Sequence, residues 1–128
     1  MKKTVLVIED EILLLKAIEQ KLTKEGWQVV GARKGLQALD YLENMEELSE
    51  VIWLDYYLPD MTGLDFVVKL KENPKLARIP VMVVSNSASE EKVKGMLALG
   101  VKKYLLKAEY RLGELIKIME KLIVEQKI

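Results

Sequence analysis

A chain of 128 residues that is half hydrophobic and 31% charged has the length and balance of one folded domain, and it is too apolar to be a disordered segment. Its 20 basic and 20 acidic residues cancel, which leaves no basic surplus for a nucleic-acid binder. With neither cysteine nor histidine, the chain has no disulfide, no thiolate zinc site, no imidazole base and no phosphohistidine of its own. Any metal it binds must be a hard one held by oxygen, and magnesium is the natural candidate.

The first predicted element is a strand over residues 4–8, where Val5-Leu6-Val7-Ile8 runs into Glu9-Asp10. The apolar stretch before Glu9 is too short for a secretory signal and far too short to span a membrane, so a cytoplasmic protein is expected. A helix follows over 11–25, with Leu14, Leu15, Ile18 and Leu22 as its buried stripe and with Ile12 and Leu13 off that stripe, beside the acids. Gly26 stands where a left-handed cap is wanted. The more polar strand near 27–31 belongs at a sheet edge, and a helix over 35–47 follows it.

The strand at 50–54, Val51-Ile52-Trp53-Leu54, ends on Asp55. Tyr56-Tyr57-Leu58-Pro59 then turns, and Asp60-Met61-Thr62-Gly63 opens a helix over 63–72 that Asn73-Pro74 stops. The strand at 80–84 ends on Ser85-Asn86-Ser87, and the helix over 89–99 ends at Gly100. A last strand, 103–106, delivers Lys107 after Tyr104-Leu105-Leu106. The final helix, 109–126, is the most periodic segment, with Leu112, Leu115, Ile116, Met119, Leu122 and Ile123 at helical spacing.

Strands and helices thus alternate strictly, which gives an α/β three-layer sandwich around a mostly parallel sheet. Three of the strands (4–8, 50–54, 80–84) are continuously apolar, as strands covered on both faces must be. No repeat, linker or low-complexity tract breaks the chain, so residues 1–128 are expected to form a single domain.

In such a sheet the strand ends are where reactive groups collect. Adjacent acids repel and raise each other's pKa unless a cation sits between them, so Glu9-Asp10 with Asp55 reads as a magnesium site, with Lys107 as a further positive charge. Each residue alone has a plainer reading: Asp10, Ser85 or Ser87 as a helix cap, Asp55 as a turn residue, Lys107 as one more surface lysine. Their falling together at the ends of four strands is what points to chemistry.

Glu9-Asp10, then Asp55-x-x-x-Pro59-x-x-x-Gly63, then Ser85, then Tyr104-Leu105-Leu106-Lys107 resembles the receiver domain of two-component response regulators, along the whole chain and in order. The resemblance implies the flavodoxin-like strand order 2-1-3-4-5. It implies that Asp55 is the nucleophile taking a phosphoryl group from a phosphohistidine on a partner kinase or phosphotransfer protein. Asp10, Asp55 and the Tyr57 carbonyl would ligate Mg2+, with Glu9 acting through water. Lys107 and the Ser85 hydroxyl would meet the phosphoryl oxygens, and Ser85 with Tyr104 would form the switch. The first helix, with Ile12 or Leu13, would dock the partner. The face built from the fourth helix, fifth strand and fifth helix, dotted with Lys92, Lys94, Lys102 and Lys103, would carry output to an unknown downstream protein. No output domain, direct DNA binding or membrane insertion is expected.

Two departures from the family pattern stand out. Ala108 replaces the proline usual after the lysine; a cis bond there would cost roughly 2.5–4 kcal/mol, so a trans Lys107–Ala108 peptide is expected. Asn86 stands where a smaller residue is usual, and with Tyr57 it is expected to limit access of hydrolytic water to the phosphorylated site. The competing readings are a receiver-like binding module that signals without phosphorylation, an Asp-nucleophile phosphohydrolase and a flavin carrier. Tyr57 sits where such a hydrolase has its second acid, and no Gly-rich phosphate loop follows the first strand. Turnover of a separate substrate is left open.

Overall fold

The computed structural model describes residues 3–126. The elements alternate as β1 (Lys3–Ile8), α1 (Ile12–Lys24), β2 (Trp27–Ala32), α2 (Gly35–Asn44), β3 (Val51–Leu54), α3 (Gly63–Glu72), β4 (Val81–Ser85), α4 (Glu90–Ala98), β5 (Lys103–Leu106) and α5 (Leu112–Gln126), with a 3-10 turn at Lys107–Glu109 before the last helix. The five strands form one parallel sheet in the order β2-β1-β3-β4-β5, as expected. Its register places Ile8 beside Leu54, Leu54 beside Val83 and Ser85 beside Leu106. All the strands therefore end on one edge.

The period of two along each strand divides the core. Leu6, Ile8, Ile52, Leu54, Val81 and Val83 face a cluster that takes in Ala38 and Leu42 of α2, Phe66, Val67 and Leu70 of α3, and Met96 of α4. Val5, Val7, Val51, Trp53, Met82 and Val84 face the other, where Leu15, Ile18 and Leu22 of α1 meet Leu115, Ile116, Met119, Leu122 and Ile123 of α5. With a helix layer on each face, β1, β3 and β4 have no solvated side, which is why their runs are apolar without alternation. β2 is an edge strand, with Gln28 exposed between the buried Trp27 and the partly buried Val29.

The helix boundaries differ from the sequence reading for local reasons. α2 ends at Asn44 and not at 47. The Asn44 amide folds back to donate to the Asp40 carbonyl at 2.8 Å, and Glu46 and Glu47 beyond it would set negative charge against the negative helix end. The last helix starts at Leu112 and not at 109, because Tyr110 is extended and the Glu114 carboxylate accepts from the Arg111 N–H at 2.8 Å. Leu14 is half-buried, so the stripe of α1 narrows to Leu15, Ile18 and Leu22. Gly26 and Gly100 have φ of 92° and 95°, the left-handed caps expected of them. No described peptide bond is cis, so Lys107–Ala108 is trans.

Candidate functional site

The sheet order sets Glu9 after β1, Asp55 after β3, Ser85 at the end of β4 and Lys107 after β5 on neighbouring strands. The ladder carries on past β3, with the Asp55 N–H donating to the Ile8 carbonyl at 3.0 Å. Glu9 and Asp55 are 2% and 8% exposed, so their charges are largely out of water. Lys107 Nζ answers both, donating to Glu9 Oε1 at 2.6 Å and lying 3.4 Å from Asp55 Oδ2. Glu9 Oε2 accepts from the Glu11 N–H at 3.1 Å, so both of its oxygens are committed. Asp10 is held by its backbone, whose carbonyl accepts from Arg33 Nε at 3.1 Å. The first turn of α1 has no side-chain cap, so Asp10 is not spent on capping.

One carboxylate oxygen from each of Glu9, Asp10 and Asp55 lies within 4.8 Å of the other two. Three acids against one ammonium leave an excess of negative charge in a partly desolvated place. The donor set is all oxygen, which fits a hard divalent cation and excludes a thiophilic one. The same imbalance acts on Asp55: burial, and then the negative charge of Glu9, push its carboxyl up to about 6 against the pull of Lys107. Burial lowers the Lys107 ammonium, but the hydrogen bond to Glu9 and the charge of Asp55 outweigh it and the net shift is upward.

The loop after Asp55 is held by main-chain bonds. The Gly63 N–H donates to the Tyr56 carbonyl, and Leu58 N–H donates to the Met61 carbonyl at 3.1 Å. A Cβ on Gly63 would meet Tyr56 Cα at 3.1 Å and the Asp55 carbonyl oxygen at 3.2 Å, both main-chain atoms that move only with the site. Gly63→Ala is accordingly expected to cost about 1–3 kcal/mol and to lower the thermal midpoint by several degrees. An unchanged midpoint would show that the loop yields freely. At the head of α3 a capping box joins Thr62 and Asp65, each accepting the other's N–H at 3.2 Å.

Ser85 is fully buried, and its hydroxyl accepts from the Ser87 N–H at 3.4 Å. Tyr104 is half-buried and donates to the Ser87 carbonyl at 2.7 Å, so both side chains meet on the β4–α4 loop. Asn86 and Tyr57 are exposed and line the groove over Asp55, a cavity of about 330 Å³. The Tyr57 ring leans edge-on against Tyr56 at 5.0 Å, and its hydroxyl accepts from Lys92, which also donates to Ser87 Oγ at 3.3 Å. Ile12 and Leu13 are 45% and 76% exposed beside the acids. Lys94 pairs with Glu90 at 2.9 Å, and Lys102 and Lys103 lie open to solvent.

Several contributors were not foreseen. Asp60 caps α2 from a distant loop, its two oxygens accepting from Gly35 and Leu36 N–H at 2.9 Å each. Burial raises its carboxyl, yet those two N–H groups hold it below the usual range. Nothing local announces a cap 25 residues away. Ser89, which caps α4 by accepting from Lys92 N–H at 3.2 Å, was legible as a serine before Glu90-Glu91. Lys92 gives no sign in the sequence of its tie to Tyr57.

The model of the response regulator receiver domain family matches residues 5–120. A two-component response regulator of rice, ORR12, is 32% identical over 103 residues, covering 80% of this chain and 84% of the relative. The polar-differentiation response regulator DivK of Brucella anthropi is 32% identical over 97 residues, covering 73% of this chain and 77% of the relative. Among solved structures, a CheY-like receiver domain protein from Methanospirillum hungatei superposes with a TM-score of 0.89 at 25% identity, over 99% of this chain and 98% of the other. The manganese-bound form of the response regulator Rcp1 superposes at 0.78 with 28% identity, over 94% and 91% of the two chains.

Proposed function

This chain belongs to the response regulator receiver domains of two-component signalling, and from that premise we propose that Asp55 accepts a phosphoryl group from a phosphohistidine on a partner kinase or phosphotransfer protein. The observation that carries the reading is the Lys107 ammonium set between the buried Glu9 and Asp55 carboxylates, with Asp10 completing a triangle of acids.

A carboxylate oxygen of Asp55 attacks phosphorus, the P–N bond to the donor imidazole breaks, and the imidazole leaves with a proton. The product is an acyl phosphate. Asp10, Asp55 and the Tyr57 carbonyl would hold Mg2+, with Glu9 acting through water. When bound, the ion would neutralise charge on the transferred group and help align the Asp55 oxygen with phosphorus, opposite the leaving imidazole nitrogen. Lys107 moves from its contact with Asp55 to a phosphoryl oxygen while Glu9 keeps it in place. Its trans peptide to Ala108 does not remove it from reach. The Ser85 hydroxyl donates to a second phosphoryl oxygen, which draws on the loop that Tyr104 also holds. The surface formed by α4, β5 and α5 then changes its affinity for a downstream protein in the cytoplasm. Among the described residues no helix is long and apolar enough to cross a membrane.

Phosphate taken up from a small donor is expected to be released by hydroxylamine, as an acyl phosphate is. Label that resists hydroxylamine would lie on a hydroxyl such as that of Ser85 and would overturn the assignment to Asp55. Asn86, open on the groove, shields the phosphorylated site from water together with Tyr57. Asn86→Ala is expected to shorten the phosphorylated half-life about three- to tenfold, the equivalent of roughly 0.7–1.4 kcal/mol. An unaltered half-life, followed by loss of label, would remove Asn86 from that role.

A further inference from the structure

At the opposite edge of the sheet, where β4 and β5 begin, a cavity of about 450 Å³ opens between the end of α3, the loop before β4 and the end of α5. Three cations line it, Lys71, Arg78 and Lys102, together with Gly100, Pro80 and Gln126, and among the described residues no side-chain carboxylate does. Among the described residues none of the three has a carboxylate within 4.0 Å. Lys71 is half-buried, and its ammonium donates to the Ala77 carbonyl at 2.7 Å, which fixes it at the cavity wall. Burial, and then the charge of Lys102, lower its pKa. Among the described residues Lys71 and Lys102 thus lie close to one another on a wall without a paired acid, although the chain as a whole has as many acids as bases.

We propose that this cavity is a binding site for a phosphate-class dianion, held by the Lys71 and Lys102 ammoniums and the Arg78 guanidinium. The guanidinium fork can meet two phosphate oxygens at once, and the two ammoniums act as point charges, Lys71 held in place by the Ala77 carbonyl and Lys102 free to close on the anion. Gly100 lies beside Lys71, where a Cβ would stand in ordinary contact at 3.4 Å from Nζ. The site lies at the far edge of the sheet from Asp55 and needs no metal. It is independent of the phosphoacceptor reading.

Pyrophosphate titrated into the protein in EDTA at physiological ionic strength tests this by amide and lysine side-chain NMR. Saturable shifts are expected at Lys71, Arg78, Gly100 and Lys102, and they should persist unchanged in Asp55→Asn. Lys71→Met and, as an exposed second variant that leaves the core untouched, Lys102→Met should each weaken binding at least fivefold. Linear shifts that chloride reproduces at equal ionic strength would mean screening alone and would overturn the site. So would saturable shifts centred on Asp55 and Lys107.

Discussion

In EDTA at neutral pH, Asp55→Asn is expected to be more stable than the wild-type protein. Asp55 is buried beside Glu9, and its carboxyl is pushed up to about 6 from 3.8, so its ionised form opposes folding. A carboxyl raised in the folded state contributes stability that is fully present below the unfolded pKa and is lost as pH climbs through the folded one. The gain from asparagine should therefore be smallest near pH 4, grow between about pH 4 and 6 and level off above. The rise from 3.8 to about 6 sets a ceiling of about 3 kcal/mol, and the opening of the groove to water reduces it to roughly 1–3 kcal/mol. Added Mg2+ should reverse the ranking, because only the wild type keeps the full set of acids to hold the ion. Urea unfolding at several pH values, with and without Mg2+, reads both effects. A variant less stable than wild type at pH 7.5 in EDTA would contradict this account of the charge imbalance.

Lys107→Met is expected to act in the opposite direction. It removes the ammonium from between Glu9, 2% exposed, and Asp55, 8% exposed, and leaves two nearby carboxylates without a cation. Breaking a buried pair by deleting one partner costs about 3–5 kcal/mol, since the remaining charge has lost its water and its counter-ion. The loss should appear in EDTA at pH 7.5 and shrink as pH falls and Asp55 protonates. Part of it should return with Mg2+, which supplies the missing charge. Phosphoryl uptake should slow even where Mg2+ has restored the fold, because no ammonium is left to meet the phosphoryl oxygens. A variant as stable as wild type in EDTA would mean that solvent already neutralises the acids.

The parallel sheet was readable from the sequence because covering a strand on both faces demands an unbroken apolar run, and β1, β3 and β4 have one; the strand order came only from the resemblance to receiver domains. The residues of the site were legible for a related reason. In a parallel sheet every strand end falls on one edge, so Glu9, Asp55, Ser85 and Lys107 could be expected to meet there, and the order β1-β3-β4-β5 makes them neighbours. Boundaries set by single hydrogen bonds were not legible, such as the fold-back of Asn44 that ends α2. Nor were contacts between distant loops, such as Asp60 on the head of α2 and Lys92 on Tyr57. No periodic pattern encodes them, and they depend on where the finished sheet brings the loops. The meeting of Lys71 with Lys102 belongs to the same class, since they lie 31 residues apart in the chain.

The most direct test of the central claim is the intact mass of the protein after incubation with acetyl phosphate, with and without Mg2+, for the wild type and Asp55→Ala. The account predicts a gain of one phosphoryl group that requires Mg2+ and is absent from the variant. A gain that survives in Asp55→Ala, or one that is indifferent to Mg2+, would contradict it.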